Sequence, residues 1–406
     1  MKKSLAIKIL ENHLLQGKIK TGEEICIKID QTLTQDSTGT MAYLQLEAME
    51  IEDVKTENSL AYIDHNILQQ GFENADDHEF IKSAANKFGI TFSKAGCGIC
   101  HQVQLERFGK VGNTLLGSDS HTPTGGALAQ IAIGAGGLDV AVAMARGFYF
   151  IKVPKIFNIK LKNSLKDYVN AKDLILYILG KLSVKGGTGY IMEYSGEGVK
   201  SLSVTDRATI CNMGAELGAT TSIFPSDENT LKYLTSQNRK EDYKKLEADE
   251  DAFYDEVMEI DLSEIEPAVA RPHFPDQYQK ISEMDKIKID QVAIGSCTNS
   301  SYMDMMKVAS ILDGKKVHPD VSLVISPGSA TILEKLSENG ALAKMIKAGA
   351  RILESGCGPC IGMGQAPKAG GISLRSFNRN FKGRSGTIDA QIYLASPETC
   401  AISALN

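Results

Sequence analysis

The sequence predicts an α/β protein of three domains, on the strength of three observations. Short apolar strands alternate with helices, and polar residues cluster directly after several of these strands. In open α/β sheets, ligands bind in the crevice beyond the carboxyl ends of the strands. This rhythm is interrupted near residue 154 and returns near residue 286, which predicts domains over residues 1–153, 154–285 and 286–406. A chain of 406 residues is also too long for one compact domain.

In the first domain, apolar spacing predicts helices at 4–16, 41–49 and 76–88 and strands at 24–29, 60–63, 90–92 and 114–116. Asp76 and Asp77 are expected to cap the third helix, which should stop at Gly89. The apolar stretch 126–147 is as long as a membrane span, but it is mostly Gly and Ala and is interrupted by glycines. It predicts a buried helix preceded by a glycine turn.

Beyond residue 153, the pattern predicts strands at 155–161, 290–294, 321–325 and 351–353, and helices at 171–182 and after 205–206. Asn212 and Glu216 lie four residues apart in the second of these helices, so they should share one face. The charge-rich segment 238–255 is expected to form a solvated helix with a surface loop.

Composition restricts the class of function. The net charge of −6 and the pI of about 5.8 argue against a nucleic-acid partner and against an anionic membrane. The N-terminus lacks the apolar run of a secretory signal, and the eight cysteines lie mostly in glycine-rich or helical contexts. We therefore expect reduced thiols and a cytoplasmic protein.

Three cysteines in glycine-rich turns form the strongest candidate metal site. Cys297 lies in one turn, and Cys357 and Cys360 form a C-x-x-C pair in another. Three thiolates leave one metal coordination position free for substrate or water. In an alternative, Cys97 and Cys100 would join the later pair in a closed four-thiolate zinc site. That alternative leaves Cys297 without a role, so the open set is favoured.

Three of the seven histidines lie in polar turns that follow strands and contain carboxylates: Asp64-His65, His101 and Asp119-Ser120-His121. An imidazole held by a carboxylate suits proton transfer near neutral pH. The other histidines are expected to lie on the surface without such partners, at positions 13, 78 and 318, or have no assignment, at position 273.

Arg379 and Arg384 follow an extended apolar segment. They are either part of a solvated loop or a clamp for a carboxylate or phosphate, whose planar shape the arginine fork matches. Spacing alone leaves both options open. The glycine-rich segments 134–137 and 186–189 do not complete a nucleotide-binding motif, so no nucleotide is inferred.

Taken together, these motifs resemble the signatures of the aconitase family. The segments that carry the resemblance are 118–123, 212–216, 295–300, 357–360 and 378–384. They occur in the family's order and, with Gln35 and Ser396–Glu398, span nearly the whole chain. Within the family, the stretches 122–126 and 220–225 favour aconitase over isopropylmalate isomerase.

The resemblance implies an aconitase-like core of three α/β/α domains around a 4Fe-4S cluster. It implies that Cys297, Cys357 and Cys360 bind the cluster, whose open iron would act as a Lewis acid on a substrate hydroxyl and carboxylate. The implied activity is a hydro-lyase or isomerase acting on a small 2-hydroxy di- or tricarboxylate. Citrate/isocitrate is favoured as the substrate, with 3-isopropylmalate, homoaconitate and 2,3-dimethylmalate as alternatives.

The resemblance also implies roles for individual residues. The catalytic residues that move protons and hold the released water would be Asp64, His65, His101, Asp119, His121 and Glu216. The amides that donate hydrogen bonds toward the cluster would be Asn212 and Asn378. The groups that bind substrate carboxylates would be Gln35, Ser120, Arg379 and Arg384.

The family's fourth, swivelling domain supplies the serine that removes the carbon-bound proton, and no such stretch follows residue 384. A small partner subunit is therefore expected to carry this domain, and the chain alone is expected to be inactive. A different class of function, an iron-responsive RNA-binding protein, conflicts with the acidic pI. A structural protein with a closed metal site is the remaining alternative.

Overall fold

The computed structural model describes residues 2–406. Over this range there are twelve α-helices: α1 Leu5–Asn12, α2 Asp36–Ala48, α3 Phe72–Phe88, α4 Cys100–Val103, α5 Gly137–Arg146, α6 Ala171–Leu182, α7 Val204–Gly214, α8 Glu228–Ser236, α9 Tyr302–Leu312, α10 Ala330–Glu338, α11 Ala341–Ala348 and α12 Pro397–Ser403. Among these residues, no helix combines the length and the apolar character that crossing a membrane requires.

The same range contains nineteen strands: β1 Leu14–Gln16, β2 Glu24–Lys28, β3 Gln31–Gln35, β4 Asn58–Tyr62, β5 Thr91–Ser93, β6 Thr114–Gly117, β7 Ile131–Gly134, β8 Phe148–Lys152, β9 Lys155–Lys162, β10 Tyr190–Ser195, β11 Thr221–Ile223, β12 Glu256–Asp261, β13 Ala268–Ala270, β14 Tyr278–Lys280, β15 Gln291–Ile294, β16 Ser322–Ile325, β17 Arg351–Ile352, β18 Ile372–Arg375 and β19 Gln391–Ala395. Most strands run parallel and alternate with helices, so the predicted α/β class is confirmed; β1, β2 and β8 form a small antiparallel sheet of their own.

The first sheet contains five parallel strands in the order β5-β4-β3-β6-β7. Every residue of its central strand, β3, is buried, as expected for a parallel strand covered on both faces. From β3 the chain moves to β4 on one side and later returns to β6 on the other. The carboxyl end of β3 is therefore a topological switch point, where α/β sheets bind their ligands.

A four-stranded parallel sheet, in the order β11-β10-β9-β12, follows in the middle of the chain. Its apolar core is not self-contained, because Phe157 and Ile210 pack in the same cluster as Phe377 and Leu394 from the last part of the chain. The middle sheet is thus fixed against the segment that carries the predicted arginines.

The third sheet has seven strands in the order β14-β13-β19-β18-β15-β16-β17. The strands from β19 to β17 run parallel, and β15 lies between β18 and β16, which makes a second switch point. The strands β13 and β14, which lie within the predicted segment 154–285, pair with this sheet through β19.

Several predicted elements differ from the structure. The helix predicted at 4–16 ends at Asn12, and residues 14–16 form strand β1. Helix α3 begins at Phe72, ahead of Asp76, with Gly71 at its N-cap and Glu73 in the first turn, where a carboxylate suits the helix dipole. The segment 238–255 forms no α-helix, apart from a short 3₁₀ turn at Lys240–Asp242. Arg239 holds it against the first domain by donating to the backbone carbonyls of residues 105 and 109.

The prediction that His13 and His78 lack carboxylate partners is wrong. His13 Nε2 lies 2.7 Å from Asp30 Oδ2, and His78 Nε2 lies 3.1 Å from Asp36 Oδ2. Both carboxylates come from other elements, so the sequence neighbourhood of each histidine did not reveal them.

Candidate active site

The two switch points face one small cavity of about 60 Å³. Eleven of the predicted site residues line it: His65, His101, Asp119, Ser120, His121, Cys297, Cys357, Cys360, Asn378, Arg379 and Arg384. They follow β4, β5, β6, β15 and β18 or lie in the turn after β17. Residues more than 300 positions apart in sequence therefore meet at the carboxyl ends of two parallel sheets.

The turn after β15 carries Cys297 into the cavity by an unusual backbone path. Gly295 has φ of +139°, and a Cβ there would lie 2.5 Å from the carbonyl oxygen of Ser326. Ser296 follows with φ of +71°, a conformation that costs energy for a residue other than glycine. Such strained turns cluster at functional sites. This turn places the buried thiol of Cys297 in the wall of the cavity.

The three thiols form one hydrogen-bonded group. Cys360 donates to Ser296 Oγ at 3.1 Å, and the same hydroxyl donates to Cys297 Sγ at 3.8 Å. Cys297, Cys357 and Cys360 also line one cavity. Three thiols gathered in this way are suited to bind a metal, because metal binding takes the place of their protons.

Two amides complete the surroundings of Cys297. The side-chain N–H groups of Asn212 and Asn378 point at its sulfur, with N–S distances of 3.2 and 3.4 Å. Hydrogen bonds to cysteine sulfur stabilise an iron–sulfur cluster and tune its potential. Three thiols with these donors fit a 4Fe-4S cluster, and Cys297, Cys357 and Cys360 are the residues that would hold it.

The first C-x-x-C pair is arranged differently. Cys100 lines the cavity, but Cys97 is not among its lining residues in the described part of the chain. The carbonyl oxygen of Cys97 instead accepts a hydrogen bond from Ala330. This geometry favours the three-cysteine set over a closed site of four thiolates.

His65 is held between two carboxylates. Its Nδ1 lies 2.8 Å from Asp64 Oδ1, and its Nε2 lies 3.4 Å from Asp119 Oδ2. Burial alone would lower the pKa of His65, but Asp64 and Asp119 outweigh burial and hold that pKa well above its usual value. His65 is therefore a cationic acid at neutral pH, with a proton available to a group in the cavity.

Asp119 also binds the two other histidines of the site. His101 Nε2 lies 2.8 Å from Asp119 Oδ1, and the backbone N–H of His121 donates to the same oxygen at 2.8 Å. Burial would raise the pKa of Asp119, yet these partners hold it well below its usual value. Asp119 thus remains a carboxylate that orients all three imidazoles.

His121 is paired with Glu216, whose carboxylate continues the network to an arginine. His121 Nε2 lies 2.8 Å from Glu216 Oε1, and Arg379 Nε donates to the same oxygen at 2.7 Å. Arg379 Nη2 also donates to Ser120 Oγ at 3.0 Å. The helix predicted to carry both Asn212 and Glu216 ends at Gly214, so Glu216 lies in the 3₁₀ turn that follows it. Asn212 nevertheless reaches Cys297, and Glu216 reaches His121.

Arg384 lines the same cavity, and its buried Nε has no hydrogen-bond partner within residues 2–406. A buried guanidinium N–H without a partner is costly, so an anionic ligand is the natural acceptor. Of the predicted residues, Gln35 is the one whose side chain is engaged elsewhere, because its Oε1 caps α2 by accepting from the backbone of Ser37 at 2.6 Å.

Sequence reasoning missed Asp36, although it directly follows a strand among the polar residues that the pattern singled out. Its carboxylate accepts hydrogen bonds from the backbone N–H groups of residues 64, 65 and 66 at 2.8–3.0 Å. Burial would raise the pKa of Asp36, but these N–H groups hold it below its usual value. Asp36 therefore fixes the turn that presents His65.

Replacing Asp36 by asparagine is expected to lower the thermal unfolding midpoint by about 4 °C near pH 7, since charge-assisted hydrogen bonds contribute about 2 kcal/mol. The folded-state pKa is depressed, so this contribution is present above the ordinary value of 3.8 and is lost as pH falls through the lowered pKa. Calorimetry across pH measures the difference. Asp76→Asn, at an exposed position of α3, is the control, and an equal shift there would contradict the assignment.

Sequence reasoning also missed Lys172, the second residue of α6. Its side chain is fully buried, and Nζ donates to the carbonyl oxygens of Ser376 and Phe377 at 2.8 and 2.5 Å. Burial lowers the pKa of this ammonium group to about 7. Lys172 therefore fixes the backbone immediately before Asn378 and Arg379.

Comparison with known proteins agrees with this geometry. A model of the aconitase family (aconitate hydratase) matches residues 7–406. The 3-isopropylmalate dehydratase large subunit 2 of Archaeoglobus fulgidus is 39% identical, with 100% of this chain and 97% of the relative aligned. The 3-isopropylmalate dehydratase large subunit of Clostridioides difficile is 40% identical, over 98% of this chain and 96% of the relative.

A solved structure supports the fold alone. Aconitase X from Thermococcus kodakaraensis, in its holo-form, is similar with a TM-score of 0.56 and 14% identity, covering 93% of this chain and 90% of that one. The relatives aligned over nearly their full length decide the family. The chain belongs to the aconitase family, so the predicted hydro-lyase class and the predicted 4Fe-4S cofactor are both confirmed.

Proposed function

We propose that this chain is the large subunit of a 3-isopropylmalate dehydratase. The observation that carries the proposal is the meeting, in one cavity, of three thiols, three histidines held by carboxylates, and Arg384 with a free N–H. These are the groups that an enzyme needs to remove water from a hydroxy acid. The substrate choice is supported by the relatives at 39% and 40% identity, which carry this name.

The citrate/isocitrate preference drawn from residues 122–126 and 220–225 receives no support from these relatives. The alternative that the sequence analysis kept open, 3-isopropylmalate, agrees with them better. Short stretches near the cavity were a weak guide to substrate, because they were weighed without the rest of the chain.

Dehydration breaks a carbon–oxygen bond on one carbon and a carbon–hydrogen bond on its neighbour. The cluster, when bound, supplies a Lewis acid that polarises the substrate hydroxyl. His65, kept protonated by Asp64 and Asp119, is placed to donate its proton to the leaving hydroxyl, which departs as water. His101 and His121 are placed to hold that water by hydrogen bonds.

Substrate carboxylates are assigned to the two arginines. Arg384 offers its unpartnered Nε, and Arg379 is held by Glu216 and Ser120 in a fixed orientation. A guanidinium binds a carboxylate with two parallel hydrogen bonds, which orients the acid as well as attracting it. The base that removes the carbon-bound proton is assigned to a small partner subunit, as the large-subunit relatives suggest.

The proposal predicts activity on 3-isopropylmalate only when a small subunit is present. We expect kcat/KM for 3-isopropylmalate to exceed that for citrate by about 100-fold or more, because buried groups matched to one substrate reject another by such factors. The assay uses the chain with reconstituted cluster, co-expressed with a small subunit, against both acids, homocitrate and 2,3-dimethylmalate. Preference for another acid would overturn the proposed substrate. Full turnover by the chain alone would overturn the proposed need for a small subunit.

A further inference from the structure

A second cavity, of about 450 Å³, lies between α7, α8, α9 and α10, and no cysteine lines it. Its size is within the range of small-molecule binding pockets, about 300–1,000 Å³. None of the residues assigned above to proton transfer, cluster binding or substrate binding lines it. Most of its lining residues are polar, and Val204, Met303 and Ile332 form the aliphatic part of its wall.

Glu106 is the unexplained group in this second cavity. It is only 7% exposed, and its Oε1 accepts a hydrogen bond from Ser329 Oγ at 3.0 Å. Its other oxygen, Oε2, is buried and has no hydrogen-bond partner within residues 2–406. Leaving a buried polar atom unpaired costs about 1–3 kcal/mol, so a donor from a ligand is the natural partner.

Other functional groups of the second cavity surround this carboxyl group. Burial raises the pKa of Tyr233, and the nearby Glu106 raises it further, so the phenol stays neutral. Lys232 and Lys335 line the same cavity as Glu106. The second cavity thus offers an acceptor at Glu106, ammonium groups at the two lysines and an apolar wall.

We propose that the second cavity binds a small zwitterion with an apolar body, its ammonium group on Glu106 and its carboxylate toward Lys232 and Lys335. An ammonium group satisfies Oε2 by a charge-assisted hydrogen bond, the strongest kind that a carboxylate can accept. The lysines attract the opposite end, and the apolar wall holds the body between them. This site is independent of the hydroxy-acid chemistry proposed above.

One side chain separates the second cavity from the thiols. Gln102 lines the second cavity, and its Nε2 donates to the backbone carbonyl oxygen of Cys297 at 3.1 Å. The preceding residue, His101, lines the first cavity. A molecule bound against Gln102 therefore touches a residue that fixes the cysteine turn.

Calorimetric titration of the full chain tests the site with three matched probes. Norleucine carries both charged groups on an apolar body, pentylamine carries only the ammonium group, and hexanoate carries only the carboxylate. We expect norleucine to bind, and both truncated probes to bind more weakly by about tenfold or more, because each loses one ion pair. Absence of norleucine binding at millimolar concentration would overturn the proposal, as would equal binding of all three probes.

Two variants assign the ends of the ligand. Glu106→Gln keeps the size of the side chain and is expected to weaken norleucine and pentylamine about tenfold while leaving hexanoate unchanged. Lys335→Met is expected to weaken norleucine and hexanoate but not pentylamine. Glutamine also leaves one polar atom unpaired at this position, so the thermal midpoint of Glu106→Gln is expected to stay close to that of the wild type, which verifies that the variant is folded. Norleucine affinity that Glu106→Gln does not change would overturn the proposal.

Discussion

Replacing Cys297 by serine is expected to reduce the iron and sulfide content of the purified, reconstituted chain to background and to abolish activity. Cys297 is 3% exposed, and its sulfur receives the amide hydrogen bonds of Asn212 and Asn378. Serine keeps the size of the side chain but is a poor ligand for iron, because soft thiolates are preferred. Metal and sulfide analysis, with the visible absorbance of the cluster, measures the loss.

Cys100→Ser is the matched control, since Cys100 lines the same cavity without belonging to the three-thiol set. It is expected to retain the cluster. After mild oxidation, EPR of this variant should show the 3Fe-4S signal expected when one iron lacks a protein ligand. Full cluster content in Cys297→Ser would remove Cys297 from the ligands. Loss of metal in Cys100→Ser, together with zinc in the wild type, would support the alternative of a closed four-thiolate zinc site.

Replacing Asp119 by asparagine is expected to lower kcat by about 10³-fold, within the range for positioned acid–base groups. Asp119 contacts His65, His101 and His121, so one substitution disturbs three imidazoles. As pH rises, the remaining activity of the variant should be lost at a lower pH than the activity of the wild type. Loss of the carboxylate lowers the pKa of His65, so its proton is lost earlier as pH rises.

The pH profile of kcat for wild type and Asp119→Asn measures both effects. The control is Asp30→Asn, which removes the carboxylate from the remote buried pair with His13. That variant is expected to be less stable with unchanged kcat at a temperature where it remains folded. A normal profile in Asp119→Asn would show that Asp119 does not set the protonation of the site.

Much of this arrangement was predictable because its signals are local. A few consecutive residues are enough to recognise each of these features: the short strands, the glycine turn around Cys297, the C-x-x-C pair and the Asp119–His121 turn. The alternation of strands with helices then placed them at the carboxyl ends of parallel sheets, where they are found. Conversely, the helix expected in 238–255 was wrong because Arg239 binds distant carbonyls instead of solvent.

What could not be predicted depends on pairs that lie far apart in sequence. Asp36 reaches the backbone of residues 64–66, and Lys172 reaches carbonyls more than 200 positions away. His13 and His78 looked unpartnered because their carboxylates lie on other elements. The unpaired oxygen of Glu106 likewise has meaning only once the surrounding helices are placed.

The buried ammonium group of Lys172 has a consequence for recombination between relatives. Lys172 lies in the middle of the chain, whereas the carbonyls it binds precede Asn378 in the last third. Phe377 and Leu394 also share an apolar core with Phe157. A crossover between residues 172 and 376 therefore preserves the site only if the parent of the N-terminal part supplies this lysine and the two parents have matching core side chains. In natural or designed recombination, the region around Lys172 and the region before Asn378 should therefore come from the same parent.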